Sequence, residues 1–213
     1  MDCQDDEIGA SMSELQPLIN GDALEFDLAF GISDTFFIQR FSPFKEEPLQ
    51  QPNMPILEHG ALSAVAVAYI DELAAYYARV LDRIALHRKQ LDLNRMYFAI
   101  GLCFYQSEEV VEVFQFDDNI ELRQFVTMLA TIAANHEEQF MLDPYLQLTV
   151  RTTETDLFME ETSLASGQDF ERYRFTKQLF QERLHQAIAR VEMIEHAIEV
   201  KLQGAYFGFS SAL

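Results

Sequence analysis

From Leu24 the chain alternates. Leu24, Phe26, Leu28 and Phe30 are apolar, and Glu25 and Asp27 fall between them. A period of two predicts a strand with one face buried. Just before it, Leu15, Leu18 and Ile19 predict a short helix over 13–20, and Asn20-Gly21-Asp22 predicts a turn. Residues 35–44 hold Phe36, Phe37, Phe41 and Phe44, a density that fits either a return strand or a short helix. Residues 45–55 then carry Pro48, Pro52 and Pro55, which rules out a continuous helix or central strand and predicts an extended linker.

Beyond the linker the period changes. Ile70, Leu73, Tyr77, Val80, Ile84, His87 and Leu91 recur at alternating spacings of three and four, which predicts a long helix over about 61–90 with a coiled-coil-like seam. Residues 96–105 and 109–116 are rich in aromatic and β-branched residues around Gln106-Ser107-Glu108, and predict a hairpin. A helix over 95–104 fits the same short apolar run. Asp118 is placed to cap a helix beginning at Asn119, with Glu121 closing the cap reciprocally. That shorter helix, 119–138, buries Leu122, Phe125, Val126, Leu129, Ile132 and Ala133.

After Pro144 the alternation returns. Leu146, Leu148 and Val150 predict a strand over 145–152, with 156–161 as an acidic strand beside it. A second long helix is predicted over 168–203, closed by Gly204. Its seam is Phe170, Tyr173, Phe180, Leu184, Ala187, Val191, Ile194 and Ile198. At 1.5 Å per residue it would be roughly 54 Å long. A rod of that length needs a partner surface, so Phe180, Leu184, Val191, Ile194 and Ile198 are expected at a helix-seam interface, in a homo-oligomer or as a subunit of a complex.

The fold class that emerges is α+β. Two long helices (about 61–90 and 168–203) and a shorter one (119–138) pack with a small antiparallel sheet. Residues 1–55 form an acidic N-terminal arm ending in the Pro-rich linker, and 56–213 form a single α+β domain. With 49% apolar residues, including 18 Phe, the chain can build a substantial core despite its charge.

Charge sharpens the picture. The formal net charge is −20, from 35 acids and 15 bases, and it is unevenly placed. Residues 1–60 carry 12 acids against 2 bases, and 108–165 carry 13 against 2. Residues 61–107 and 166–213, read as mostly helical, are balanced at 4 against 5 and 6 against 6. Segregated acidity on a neutral scaffold predicts an electronegative surface that attracts basic partners. Direct nucleic-acid binding needs a basic stripe, and the chain has four lysines with its arginines scattered among acids. No apolar run approaches the length of a membrane span. The N-terminus has neither a basic nor an apolar leader region, so a cytoplasmic location is expected. Only Cys3 and Cys103 occur; Cys103, inside an apolar run, reads as a small buried hydrophobe.

Chemistry-bearing motifs are few. The chain has no Gly-x-Ser-x-Gly and no Gly-rich loop before a helix, so neither a nucleophile elbow nor a phosphate cradle is predicted. Glu182, His185, Glu192 and His196 share one arc of the last predicted helix, and Glu182-x-x-His185 has the spacing of a metal-binding helix. That arc lies away from the apolar seam, which predicts a solvated polar face. No cofactor is expected. The strongest candidate surface is acidic: Glu108, Glu109, Glu112, Asp117, Asp118 and Glu121, continued by Glu154, Asp156, Glu160 and Glu161.

The expected function is a non-catalytic interaction protein (adaptor, chaperone or inhibitor) that binds a basic protein partner through this surface. One form is a nucleic-acid mimic that occupies a nucleic-acid-binding protein. From residue 61 the order helix, paired strands, helix, strands, helix resembles the acidic chaperones of type III secretion in element order and charge. That resemblance implies a dimeric chaperone. Two further readings are a structural component of an assembly held by long helices, and a metal-dependent enzyme using the His/Glu stripe.

Overall fold

A computed structural model describes residues 17–32, 50–57, 60–86, 99–115, 119–166 and 169–201. The Phe-rich run 35–44, residues 13–16 and 45–49, the helix end beyond Leu86, the Asp118 cap, Asp117 and Gly204 lie outside the described residues. The architecture is α+β. Among the described residues it comprises two sheets and four helices.

The first sheet has the order β1-β9-β8-β7-β6. It is built from β1 (Leu18–Asn20), β6 (Glu137–Asp143), β7 (Leu146–Thr152), β8 (Asp156–Ser163) and β9 (Asp169–Thr176). Strands β6 to β9 form an antiparallel meander, and β1 joins β9 in parallel. The second sheet has the order β3-β2-β4-β5, from β2 (Glu25–Gly31), β3 (Gly60–Leu62), β4 (Ala99–Gln106) and β5 (Glu109–Gln115). Residues 18–31 of the expected arm are thus built into both sheets.

The sheets are joined by aromatic rings. Phe104 of β4 stacks on Tyr173 of β9, centroids 5.8 Å apart and planes within 10°. Phe26 of β2 stacks on Phe180 at 4.6 Å, and Phe175 meets Phe104 and Phe180 at 5.4 and 4.8 Å. Such pairs add about 0.5–1.5 kcal/mol each beyond the area they bury. Gly21, in the short 3-10 turn after β1, lies so close to Phe175 that a Cβ there would fall 2.3 Å from the ring. A side chain at that position would force the ring and its strand apart.

The helices are α1 (Ser63–Ala66), α2 (Ile70–Leu86), α3 (Asn119–Thr131) and α4 (Lys177–Lys201). Three expected helix bounds are corrected here, and two further expectations with them. The helix expected over 61–90 begins at Ile70 in its long part; Gly60–Leu62 pairs with β2, and Ser63–Ala66 is a separate turn of helix. The helix expected over 168–203 spans 25 residues, because Asp169–Thr176 is a strand. The helix expected over 119–138 ends at Thr131, and Glu137 opens β6. Among the described residues the small sheet is in fact nine strands in two sheets, and residues 18–20 of the helix expected over 13–20 are strand β1.

Helix α4 packs on α1, α2, α3 and both sheets, and its apolar stripe is enclosed by the chain itself. Phe180, Leu184, Val191, Ile194 and Ile198 are at most 7% exposed. These residues belong to the core, and the seam supplies no free interface. The helix is about 37 Å long, well short of the rod expected.

Candidate functional site: a carboxylate cluster between the sheets

Strand alternation separates neighbouring acids. On β8, Leu157, Met159, Glu161 and Ser163 face the core, and Asp156, Phe158, Glu160 and Thr162 face outward. Consecutive Glu160 and Glu161 therefore lie on opposite sides of the sheet.

The outward acids are paired. Glu160 accepts from Arg172 Nη2 at 2.9 Å and lies 3.6 Å from Arg151. Asp156 accepts from Arg174 Nε at 2.9 Å. The Thr155 hydroxyl and the Arg174 guanidinium hold the Asp156 carboxyl below its ordinary value. Arg151 also lies over the Phe158 ring, 4.8 Å from its centroid. Glu154 accepts from Asn135 Nδ2 at 3.2 Å at an exposed loop. The outer face of the larger sheet is thus a ladder of matched charges. Glu160 and Asp156 do not combine with the other predicted acids into one negative surface.

The inward acids meet in the gap between the sheets. Glu161 opposes Leu148 on one side, and the β-bulge between Glu160 and Thr162 brings it beside Glu171 on β9. Glu171 accepts at 2.8 Å from the hydroxyl of Tyr173, whose ring is stacked on Phe104. The cross-strand partner of Phe104 on β5 is Glu112, so Glu112 shares its face and points toward the same ring pair. Three carboxylates from two sheets converge at one end of the aromatic core.

The convergence has an electrostatic consequence. Burial, then Glu112, then Glu171 push the Glu161 carboxyl up to about 7. Burial and Glu171 raise Glu112, while the Val113 N–H bonded to it pulls the other way. Burial, the bond to Glu171 and all three carboxylates drive the Tyr173 hydroxyl upward. Glu161 is 5% exposed, and burial of a carboxyl disfavours its charged form.

Glu112 belongs to the β4–β5 hairpin. Ser107 and Glu108 form its two-residue turn with φ of 51° and 71°. Positive φ at both positions is the geometry that Asn-Gly ordinarily supplies. Glu108 therefore stands in a left-handed conformation costing about 1–2 kcal/mol for a residue with a Cβ. Glu108 and Glu109 are exposed, and neither has an ion-pair partner among the described residues. Strand β5 is the last of its sheet among the described residues, and Val111 is 41% exposed on it. Of the remaining predicted acids, Asp117 and Asp118 lie outside the described residues, and Glu121 sits in the first turn of α3.

Two other buried acids are structural. Asp27 of β2 is 1% exposed and accepts on Oδ1 from Leu28 N, Ser63 Oγ and Arg190 Nη2 at 2.8, 2.5 and 3.0 Å. Its Oδ2 accepts from Ala64 N at 2.7 Å. Helix α1 has no side-chain cap of its own, so Asp27 caps it from a neighbouring strand. Arg190 Nε donates to Ser63 Oγ at 2.8 Å, so that hydroxyl is committed in both directions. Glu195 of α4 pairs through Oε2 with Arg123 of α3, and its buried Oε1 has no partner. Burial pushes its carboxyl up to about 7 against the pull of Arg123, with Glu192 and Glu199 adding to the rise.

The His/Glu stripe lies on α4, where Glu182, His185, Glu192 and His196 are all exposed. The His185 ring bonds Gln181 O at 2.7 Å, and Glu182 accepts from Gln178 at 2.8 Å. No group of three acidic, His or Cys side chains among the described residues is arranged to hold a metal ion.

Sequence reasoning named Glu112 and Glu161 but missed Glu171 and Tyr173, which it placed on a helix. The signal was present: Arg172 and Arg174 alternate with Tyr173 and Phe175 immediately before the helix. Among the described residues, no helix is long and apolar enough to cross a membrane. Comparison with protein-family models, curated proteins and solved structures returned no match.

Proposed function

We propose that the protein is a non-catalytic interaction module that receives a basic protein partner on the β4–β5 hairpin and the adjoining carboxylate cluster. The observation that carries this reading is the unequal treatment of acids. Asp156 and Glu160, on the outer face of the larger sheet, are matched by Arg151, Arg172 and Arg174. Glu108, Glu109, Glu112 and Glu161 are left without a cation among the described residues. Like charges held together without counter-charges weaken the fold, and a cationic partner offsets that cost.

Strand β5, the last of its sheet among the described residues, adds a means of attachment, because its outer backbone groups can pair with an extended segment. The partner is a protein with a basic strand or loop; a nucleic-acid-binding protein is the leading class, since its working surface already accommodates closely spaced negative charge. The matched outer face argues against a mimic that imitates phosphate all round the molecule.

The test is capture of host proteins on the immobilised chain at two ionic strengths, beside the double variant Glu108→Lys/Glu109→Lys. Basic proteins retained at low salt, released at moderate salt and lost by the variant support the reading. Retention of neutral or acidic proteins, or retention indifferent to salt and to the variant, overturns it.

A further inference from the structure

We infer that Glu195 is a proton-operated latch on the first half of α3. Protonated, it keeps that half closed on α4; ionised, it lets that half open. Glu195 lies on α4 and is 5% exposed. Its Oε2 accepts from Arg123 Nη2, an ion pair that joins α4 to α3. Its Oε1 is buried and has no hydrogen-bond partner. Such an atom is an exception in folded proteins and calls for a physical account. The carboxylate has a guanidinium on one oxygen and neither water nor a donor on the other, so its charge is offset on one side only. Two events relieve this. A proton taken from solvent removes the charge, or the helix contact opens and water reaches Oε1.

The contacts of α3 make the response local. Near its start, Arg123 ties it to Glu195. At its centre, Phe125 meets Phe114 of β5 and Phe140 of β6, with centroids 6.4 and 5.0 Å apart. At its far end, Gln181 Nε2 of α4 donates to Leu129 O and Ile132 O at 3.3 and 3.4 Å. The central and far contacts involve no titratable group. A change of charge at Glu195 therefore acts on the first turns and leaves the far end fastened, as local opening within one element allows.

The groups around Glu195 set the pH at which the latch works. Burial outweighs the pull of Arg123, and Glu192 and Glu199 on neighbouring turns of α4 add to the rise, which brings the carboxyl from 4.5 to about 7. Tyr77 faces it from α2; its hydroxyl donates to Gly31 O at 3.0 Å, and its ring lies 5.4 Å from that of Tyr76. Burial, Tyr76 and Glu195 all raise the Tyr77 hydroxyl, so it stays neutral. The cations on this part of α4 are engaged elsewhere: Arg190 with Asp27 of β2 and Ser63 of α1, and Lys201 with Asp71 of α2. His196 is exposed. The closed state thus holds a proton that the open state releases. Opening becomes easier as pH rises from about 4.5 to about 7 and levels off above.

The experiment is amide hydrogen exchange of the full chain across this pH range, read residue by residue and divided by the intrinsic exchange rate at each pH. Protection of the Arg123, Gln124 and Phe125 amides should fall with rising pH by up to on the order of 100-fold. The amides of Ala130 and Thr131 at the far end of α3, and of Met159 in β8, should change by less. Glu195→Gln keeps the shape without the charge, and should hold the first turns protected at every pH. Should that variant fail to fold, Glu192→Gln/Glu199→Gln leaves Glu195 and its ion pair in place and should move the midpoint to lower pH. The latch is overturned if protection of residues 123–125 is independent of pH, or if its pH dependence survives Glu195→Gln. It is also overturned if both ends of α3 lose protection together, which would make Glu195 a contributor to the stability of the whole fold only. An unmoved midpoint in the double variant overturns it as well.

Discussion

Asp27→Ala should be among the most damaging single substitutions in this chain. The carboxylate accepts from Leu28 N, Ala64 N, Ser63 Oγ and Arg190 Nη2, and the residue is 1% exposed. Removing it strands the buried Leu28 N–H, at about 1–3 kcal/mol, and releases the Ala64 N–H of an exposed residue at less cost. Ser63 keeps its bond from Arg190, and Arg190, 29% exposed, can turn partly to water. The expected loss is about 3–5 kcal/mol, the range for breaking a buried ion pair from one side. For a domain of this size that is a fall in Tm of roughly 6–20 °C. Urea unfolding followed by circular dichroism should show a lower midpoint with an unchanged slope. Asp27→Asn keeps one acceptor oxygen and should fall between the two. A loss below about 1 kcal/mol for Asp27→Ala, the effect of an ordinary substitution, would refute the assignment of Asp27 as the tie between β2, α1 and α4.

Glu108→Gly should stabilise the fold by about 1 kcal/mol, because glycine adopts the φ of 71° without strain. The same variant should bind a basic partner less well; a gain in stability with no loss of binding would show that the strained glutamate serves no purpose in docking. The pH dependence has a definite sign. The Glu161 carboxyl is raised from 4.5 to about 7, so the folded state holds a proton that the unfolded chain releases. Stability should therefore decline as pH rises from about 4.5 through about 7 and level off above, and Glu161→Gln should flatten that slope. Allowing for solvent screening at the mouth of the cluster, the variant should gain roughly 1–2 kcal/mol over wild type on the alkaline side. An unaltered slope in thermal melts of Glu161→Gln would count against the cluster.

The parts of the fold legible in the sequence are those with a strong local pattern. Strands β2 and β7 show alternation, although β2 is buried on both faces, and the β4–β5 hairpin shows aromatic and β-branched runs around a turn; the structure has each of them. Strand β9 was hidden because Phe170 and Tyr173 extend, by chance, the three-and-four spacing of the helix that follows. No glycine or proline marks the change at Thr176–Lys177. Distant groups make the break: Asp22 accepts from Thr176 N, and Lys177 N donates to Thr155 O. The gap between α1 and α2 at Val67-Ala68-Tyr69 likewise carries no local breaker. The acidic surface was legible as composition but not as placement. Neighbouring acids such as Glu160 and Glu161 separate by strand alternation, and Glu171 joins the cluster only through pairing of β8 with β9.

The central claim is that Glu112, Glu161 and Glu171 face one another between the sheets with no cation from the described residues. A carbon-13 titration of the Glu161 carboxyl in the isolated protein tests it most directly. The account predicts a midpoint near 7 that falls when Glu112 and Glu171 are both replaced by Gln. A midpoint near 4.5, or one that those substitutions leave unmoved, would contradict it.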